Sequence, residues 1–341
     1  MKLEVKTKNG SYPVIIERGA LKKASQVIGT GSRVFIVTDS GVPKEWVGAL
    51  KDQFRGAKVF VIPQGEASKN IRTWTSVMSA MLSEGISRKD TVAALGGGVT
   101  GDIGGFAAAC YMRGIRFVNI PTTVLAQADS SIGGKTGLDM DGIKNCVGAF
   151  WQPSAVISDP DVLSTLPERQ FASGMAEAVK AGVIGDPALF EIFESGEAKT
   201  RTEEIIRRAV LVKKRIVEED ELESGKRMLL NFGHTIGHAV EALSALDAEE
   251  SGGSGLLHGE CVAIGMVLMT VQPELKARLK KVLEGLGLPT GFHMDKDKAL
   301  SIIEKDKKAN RGMITTVQAD EIGKAYLKEL SIEELGGRLA Q

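Results

Sequence analysis

The residues best suited to chemistry are few and clustered. The sequence has four histidines, at 234, 238, 258 and 293, and the first three stand close together in the strings NFGHTIGHAVE and LLHGE. His234 and His238 are four residues apart, so on a helix they share one face. Imidazole pairs of this kind suit zinc or a related divalent ion, which needs a third ligand and an open position to act on a substrate. The same spacing also occurs in helices that bind nothing. Glu177, in GMAEAVKAG, offers a carboxylate on a helical stretch, with Lys180 one turn later. That spacing describes either a functional acid–cation pair or an ordinary solvated helix face.

A second set of candidates is rich in glycine. Gly96-Gly97-Gly98-Val99-Thr100-Gly101-Asp102 follows the apolar run TVAAL and opens a helical stretch. Glycines there allow a tight turn, and equally let a diphosphate approach the backbone where helix N–H groups face its charge. The string is not GxGxxG and lies on the third βα unit, so the standard dinucleotide fingerprint is not met. Asp39 ends the first strong strand, a place from which an acid either closes a turn or accepts from a ribose. DSSIGGKTG (129–137) and GIKN (142–145) embed Lys135, Lys144 and Asn145 among small residues. Two lysines and an amide with room around them make a site for phosphate or carboxylate, or else a surface loop with scattered lysines.

The elements that must position these residues alternate in the first half of the chain. RVFIVTD (33–39), AKVFVI (57–62), TVAAL (91–95), IRFVNI (115–120) and AVISD (155–159) predict buried strands, with helices over 43–54, 70–84 and 100–112. That is the βαβ rhythm of a parallel sheet. Ser164 or Thr165 is expected to cap a helix opened by Pro167. From about 167 to 290 the periodicity is helical, followed by a weak strand at 312–317 and a final helix. The boundary is placed at Leu166, giving an α/β domain over 1–166 and a helical domain over 167–341. The patch AEESGGSG (248–255) predicts a flexible surface loop.

Composition narrows the functions open to the chain. Lys+Arg 43 against Asp+Glu 43 gives zero formal charge, which removes the electrostatic footprint of a nucleic-acid binder or a basic membrane-surface protein. The longest apolar run, CVAIGMVLMTV, is far short of the ~20 residues of a spanning helix. No signal-peptide core is present at the N-terminus. Three widely spaced cysteines, Cys110, Cys146 and Cys261, support neither a disulfide framework nor a cysteine zinc site and suit the cytoplasm.

Taken in order, GEASKN, GGGVTGDIGGFAAACYMRG, PTTVLAQADSSIGGKTG, GIKNCVGAFWQP, TLPERQFASGMAEAVK, RMLLNFGHTIGHAVE, LLHGE and DKK resemble the 3-dehydroquinate synthase family of sugar-phosphate cyclases. The resemblance covers most of the chain. It implies a Rossmann-like NAD-binding α/β domain, an all-helical metal-binding domain and an active site in the cleft between them. It also implies the family's reaction, conversion of 3-deoxy-D-arabino-heptulosonate 7-phosphate to 3-dehydroquinate and phosphate in the shikimate pathway. That reaction runs through transient oxidation by NAD, phosphate elimination, reduction, ring opening and an intramolecular aldol closure.

Carried over residue by residue, the resemblance implies Glu177, His234 and His258 as ligands of zinc or cobalt, and His238 as the proton shuttle of the oxidised hydroxyl. It makes Lys135, Asn145, Asn231 and Lys307 contacts of phosphate or carboxylate, and Lys180, Lys213 and Arg227 partners of the ring hydroxyls and carboxylate. Arg113 reaches the neighbouring subunit's phosphate site, so a homodimer is expected. Asp39, Glu66, Lys69, Gly97, Gly98, Val99, Asp102, Thr122, Thr123, Asp129, Ser130, Lys135 and Lys144 are the implied NAD contacts.

The stretch from His234 to His258 is longer than the family pattern, and the excess coincides with 248–255. A longer loop adds little closure entropy, so the HGE string should keep its place. Gly41 stands where some relatives have Asn. Within the family, the presence of Lys180, Asn145, Lys213, Arg227 and His238 favours a substrate bearing a carboxylate over sedoheptulose 7-phosphate or glucose 6-phosphate. The alternative outside it is a metal-dependent polyol or glycerol phosphate dehydrogenase, which would release NADH.

Overall fold

The structure, a computed structural model, describes residues 1–31, 33–307 and 312–339, with the side chains of residues 251 and 305–307 left aside. The chain divides into two compact units, Met1–Pro167 and Glu168–Gln341.

The first unit runs β1 (Lys2–Thr7), β2 (Gly10–Ile16), α1 (Ala24–Ile28), β3 (Val34–Asp39), α2 (Lys44–Lys51), β4 (Lys58–Ile62), α3 (Ile71–Ser83), β5 (Thr91–Gly96), α4 (Gly98–Cys110), β6 (Arg116–Pro121), β7 (Lys135–Met140), β8 (Ile143–Phe150) and β9 (Ala155–Ser158). Its sheet has the order β1-β2-β9-β6-β5-β3-β4, parallel throughout except for the β1–β2 hairpin. The unbroken apolar run of β3 follows from burial on both faces. Val34 and Ile36 pack with Leu21, Leu50 and Leu95 on one side, whereas Phe35 and Val37 pack with Met81, Ile103 and Phe106 on the other.

Two hairpins depart from the predicted elements. The charged N-terminal segment pairs as β1–β2, and the stretch read as a glycine-rich loop forms β7–β8. Its turn, Asp141-Gly142, has φ of 51° and 77° between paired Met140 and Ile143, the geometry that Asp-Gly supplies to two-residue hairpins.

The second unit comprises α5 (Glu168–Gly185), α6 (Pro187–Glu194), α7 (Thr202–Glu219), α8 (His234–Ser251), α9 (His258–Met269), α10 (Pro273–Gly285), α11 (Lys296–Lys307), the antiparallel pair β10 (Met313–Glu321) and β11 (Lys324–Ser331), and α12 (Ile332–Leu339). The second strand of that pair was not expected. Residues 248–251 belong to the last turn of α8 rather than to a loop, and Gly252 ends the helix in the left-handed conformation with φ of 69°. Ser164 and Thr165 do not cap α5. Their hydroxyls donate backward to Asp161 O and Val162 O, closing a 3₁₀ turn. All three cysteines are free. Among the described residues, no helix is long and apolar enough to cross a membrane.

Candidate metal centre and nucleotide-facing loops

In the first unit the neighbouring parallel strands β3, β5 and β6 end at Asp39, Gly96 and Pro121. The carboxyl edge of such a sheet is where α/β folds bind ligands. Asp39 Oδ1 accepts from Gly41 N–H at 2.9 Å, and its Oδ2 accepts from the Thr100 hydroxyl at 2.8 Å. This carboxylate closes its own turn and also ties β3 to the first turn of α4. The glycines after β5 are there for close approach. A Cβ at Gly96 would lie 2.5 Å from Thr100 Oγ1, one at Gly97 3.2 Å from Thr123 Cγ2, and one at Gly98 3.3 Å from Ser130 Oγ.

Gly97 stands at the N-cap of α4, whose first N–H groups carry partial positive charge. Val99 and Asp102 lie in its opening turns, Thr122 N–H donates to Gly96 O at 2.9 Å, and Asp129 and Ser130 occupy a π-helical turn. Such widened turns are frequent at functional sites. The implied nucleotide contacts from β3, β5, β6 and that turn therefore surround one glycine turn.

Lys69 is buried and joins this loop to the β7–β8 hairpin. Its Nζ lies 2.6 Å from Asp102 Oδ2 and 3.9 Å from Glu66 Oε1, and donates to Asn145 Oδ1. Burial presses the ammonium pKa down, but Asp102 and Glu66 outweigh it and hold it above the usual lysine value. Asn145 has φ of 53°, and its N–H donates to Asp139 Oδ1 at 2.7 Å. Lys135 and Lys144 are exposed at opposite ends of the hairpin, Lys135 pairing with Phe150 at its base and Lys144 standing next to the turn. Arg113 and Met112 have φ of 65° and 49°, an unusual pair for non-glycine residues, and both are exposed.

In the second unit, α5 is buried along Ser173–Ile184 and carries Glu177 and Lys180 inward. The histidines come from helix starts, His234 opening α8 and His258 opening α9. These two helices meet backbone to backbone: a Cβ at Gly265 would lie 1.9 Å from Gly233 O. His234 Nδ1 faces Phe232 O at 3.1 Å, so it carries the proton and leaves Nε2 as the free donor. Glu177 Oε1 lies 3.6 Å from His234 Nε2 and 3.3 Å from His258 Nε2, while Lys180 Nζ pairs with Oε2. The donor atoms of Glu177, His234 and His258 all lie within 4.8 Å of one another.

Burial raises the Glu177 pKa, but Lys180, His234 and His258 together outweigh it and hold the acid well below the usual carboxylate range. Burial and Lys180 press His234 well below the usual imidazole value, which leaves it neutral and able to ligate. His258 also loses to burial, yet Glu177 and Glu241 push it up to about 10.

The residues fit a divalent cation. Both oxygens of Glu177 are buried; Lys180 pairs with Oε2, while Oε1 faces the two imidazole nitrogens without a hydrogen bond of ordinary geometry, a costly state for that oxygen unless a cation meets it. Ligand atoms held about 2.0–2.2 Å from a tetrahedral ion stand roughly 3.3–3.6 Å apart, which matches the separations of Glu177 Oε1 from the two imidazole nitrogens.

The other implied residues surround α5 and α7. Lys180, Lys213 and Arg227 are all buried, and the 3₁₀ turn Lys226–Asn231 packs on both helices. Asp220 fixes this turn by accepting from the N–H groups of Arg227, Gly225 and Ser224, bonds that hold its pKa far below the usual aspartate value. Asn231 donates to Glu223 Oε1 at 3.1 Å, and Glu223 has φ of 60°. Lys307 closes α11, and its side chain lies outside the described residues.

Two acids escaped sequence reasoning. Glu223 left no mark, because its backbone conformation is set by tertiary structure. Glu241 did leave one: it follows His234 by seven residues and His238 by three, on the same helical face. Its Oε2 lies 3.5 Å from His258 Nδ1.

Residues 59–173 match the family described as 3-dehydroquinate synthase N-terminal, and residues 174–309 match 3-dehydroquinate synthase C-terminal. The 3-dehydroquinate synthase of Streptococcus thermophilus (strain ATCC BAA-491 / LMD-9) is 41% identical over 356 residues, covering 98% of each chain. The 2-epi-5-epi-valiolone synthase ValA from Streptomyces hygroscopicus subsp. jinggangensis 5008, solved with NAD+ and Zn2+ bound, superposes with a TM-score of 0.85 at 28% identity, over 98% of this chain and 97% of that one. A 2-deoxy-scyllo-inosose synthase complexed with carbaglucose-6-phosphate, NAD+ and Co2+ shares the fold, with a TM-score of 0.83 at 24% identity over 99% of both chains. With both family halves matched in sequence order and identity sustained along nearly the whole length of a relative, the chain belongs to the 3-dehydroquinate synthase family.

Proposed function

We propose that this protein converts 3-deoxy-D-arabino-heptulosonate 7-phosphate to 3-dehydroquinate and phosphate, the shikimate-pathway step that leads to aromatic amino acids. The observation that carries the reading is the buried Glu177, whose Oε1 faces two imidazole nitrogens while Oε2 pairs with buried Lys180. When bound, NAD accepts a hydride and returns it, and a divalent cation acidifies the hydroxyl that is oxidised.

Glu177, His234 and His258 hold that cation, zinc or cobalt being the ions found with NAD+ in the two solved relatives. His238 takes the hydroxyl proton. Its ring centroid is 5.5 Å from that of His234 and 6.1 Å from that of His258, so the shuttle stands beside the ligands. Lys180, Lys213 and Arg227, all buried, meet the substrate carboxylate and ring hydroxyls, as the family resemblance implies. Lys135, Asn145, Asn231 and Lys307 receive phosphate or carboxylate oxygens.

On the first unit, Asp39 and the Gly97–Asp102 turn hold the dinucleotide, with Glu66, Lys69, Thr122, Thr123, Asp129, Ser130 and Lys144 around it. The enzyme works as a cytoplasmic homodimer in which Arg113 of one protomer serves its partner's phosphate site. The exposed left-handed pair Met112-Arg113 supports this, because backbone strain of that kind persists where function needs it.

The test supplies metal-loaded protein with the heptulosonate phosphate and catalytic NAD, and follows phosphate release and NADH absorbance together. Phosphate without accumulating NADH is expected, and none from sedoheptulose 7-phosphate or glycerol phosphate. Net NADH from a polyol would replace this reading with a dehydrogenase.

A further inference from the structure

His258 is the most exposed of the three candidate ligands, 33% against 12% for His234 and 1% for Glu177. It also follows an irregular connection, residues 252–257, from α8. Neither feature suits a residue that must meet a buried carboxylate accurately.

The compensation lies on one face of α5. Arg169, Ser173 and Glu177 are spaced four residues apart, so they stack along that face. Each meets one of three consecutive residues at the start of α9. Arg169 grips Glu260 with two bonds of 2.7 Å, Ser173 Oγ accepts from Gly259 N–H at 3.1 Å, and Glu177 Oε1 faces His258 Nε2 at 3.3 Å. The fit leaves no slack at the middle rung, where a Cβ on Gly259 would lie 1.8 Å from Ser173 O.

The loop is fastened to the same points. Arg169 Nη2 donates to Gly255 O at 3.0 Å and Nη1 to Ser254 Oγ at 3.4 Å. Leu257 N–H donates to Glu260 Oε2 and Leu256 N–H to Ser244 Oγ, both at 2.7 Å. Glu260 is nearly buried, its side chain 8% exposed, so its charge needs the guanidinium.

We infer that Arg169 and Glu260 are positioning residues for the metal centre: their two-pronged pair sets the register of α9 on α5 and so holds His258 against Glu177, whatever the length of the loop before it. This rests on the metal reading above. It predicts that metal affinity depends on a pair that contributes no ligand.

The test titrates Co2+ into metal-free full-length protein and reads the dissociation constant and the visible cobalt spectrum, which reports the ligand set. Arg169→Ala should weaken binding by roughly 10- to 100-fold, as losses behind a ligand do, and its spectrum should move toward that of His258→Ala. Arg169→Lys, which cannot make the two-pronged contact, should fall between Arg169→Ala and wild type. Lys199→Ala, which breaks an exposed pair with Glu168 on the same helix turn, should match wild type. If Arg169→Ala proves unfolded by circular dichroism, Glu260→Gln provides the same readings. Wild-type affinity and spectrum in whichever of these two variants folds would overturn the inference while leaving the metal reading intact. Failure of the wild-type protein to bind Co2+ would overturn both.

Discussion

His258 Nδ1 and Glu241 Oε2 lie 3.5 Å apart, on the edge of the ring opposite the one that faces Glu177. A carboxylate behind a ligand imidazole fixes its tautomer and raises its basicity. His238, Glu241 and His258 also have donor atoms within 4.8 Å of one another, so Glu241 could itself be a ligand in a second arrangement. The two arrangements separate experimentally. Glu177→Gln should abolish tight metal binding, whereas Glu241→Gln should weaken it by about tenfold. Equilibrium dialysis against a chelator series measures both, and the reverse ranking would move the metal to the second set.

The histidines offer a sharper contrast. His258→Ala should lose both metal and turnover, while His293→Ala should keep them, because His293 is exposed and lies in neither group of candidate ligands. Metal content after desalting decides between them, and equal retention would demand a different ligand set.

Lys69 is buried against Asp102 at 2.6 Å, and breaking such a pair from one side leaves the remaining charge poorly compensated. Lys69→Met should cost about 3 kcal/mol in stability and weaken NAD binding as well. Urea unfolding and NAD titration give the two values. Adding Asp102→Asn should recover part of the stability and none of the NAD affinity.

Asp90 supplies a pH dependence. Burial raises its pKa, but Ser87 N–H, the Ser87 hydroxyl and Arg33 all donate to it and bring it below the ordinary aspartate value. A group whose folded pKa is depressed adds stability above its unfolded pKa, and that contribution fades as pH falls through the folded value. The stability gap between wild type and Asp90→Asn should therefore be widest near neutrality and close below about pH 4. Chemical denaturation at stepped pH reads the gap, and one that stays constant would remove the ion pair from the account.

Arg113→Ala should raise the KM for the phosphate substrate with little change in fold. If Arg113 serves the partner's site, mixing it with an inactive variant such as His238→Ala should regenerate some activity through hybrid dimers. No recovery on mixing would confine Arg113 to its own protomer.

The parallel sheet was legible because β3 and β5 carry unbroken apolar runs, Val34–Val37 and Val92–Leu95, the signature of a strand covered on both faces. The β7–β8 hairpin was missed although Asp141-Gly142 announces its turn, since the lysines and glycines around it drew a loop reading. Glu241 was also within reach through its spacing from the two histidines. The partnership of Arg169 with Glu260 was not, because 91 positions separate them and nothing local in either segment records the contact. The left-handed backbones of Asn145 and Glu223 belong to the same class: their side chains accept from Lys69 and Asn231, contacts that the local sequence does not record.

The contact of Gly265 with Gly233 makes the distance between two candidate metal ligands a property of the main chain. Where helices meet through side chains, each substitution in the core shifts their separation slightly. Here the first turn of α8 is spaced from α9 at two points, Gly233 on Gly265 and Gly237 on Cys261, by main-chain atoms that no substitution elsewhere can resize. The candidate metal centre is thus insulated from drift in its own apolar surroundings, and the demand falls instead on a few positions that have no room for a side chain.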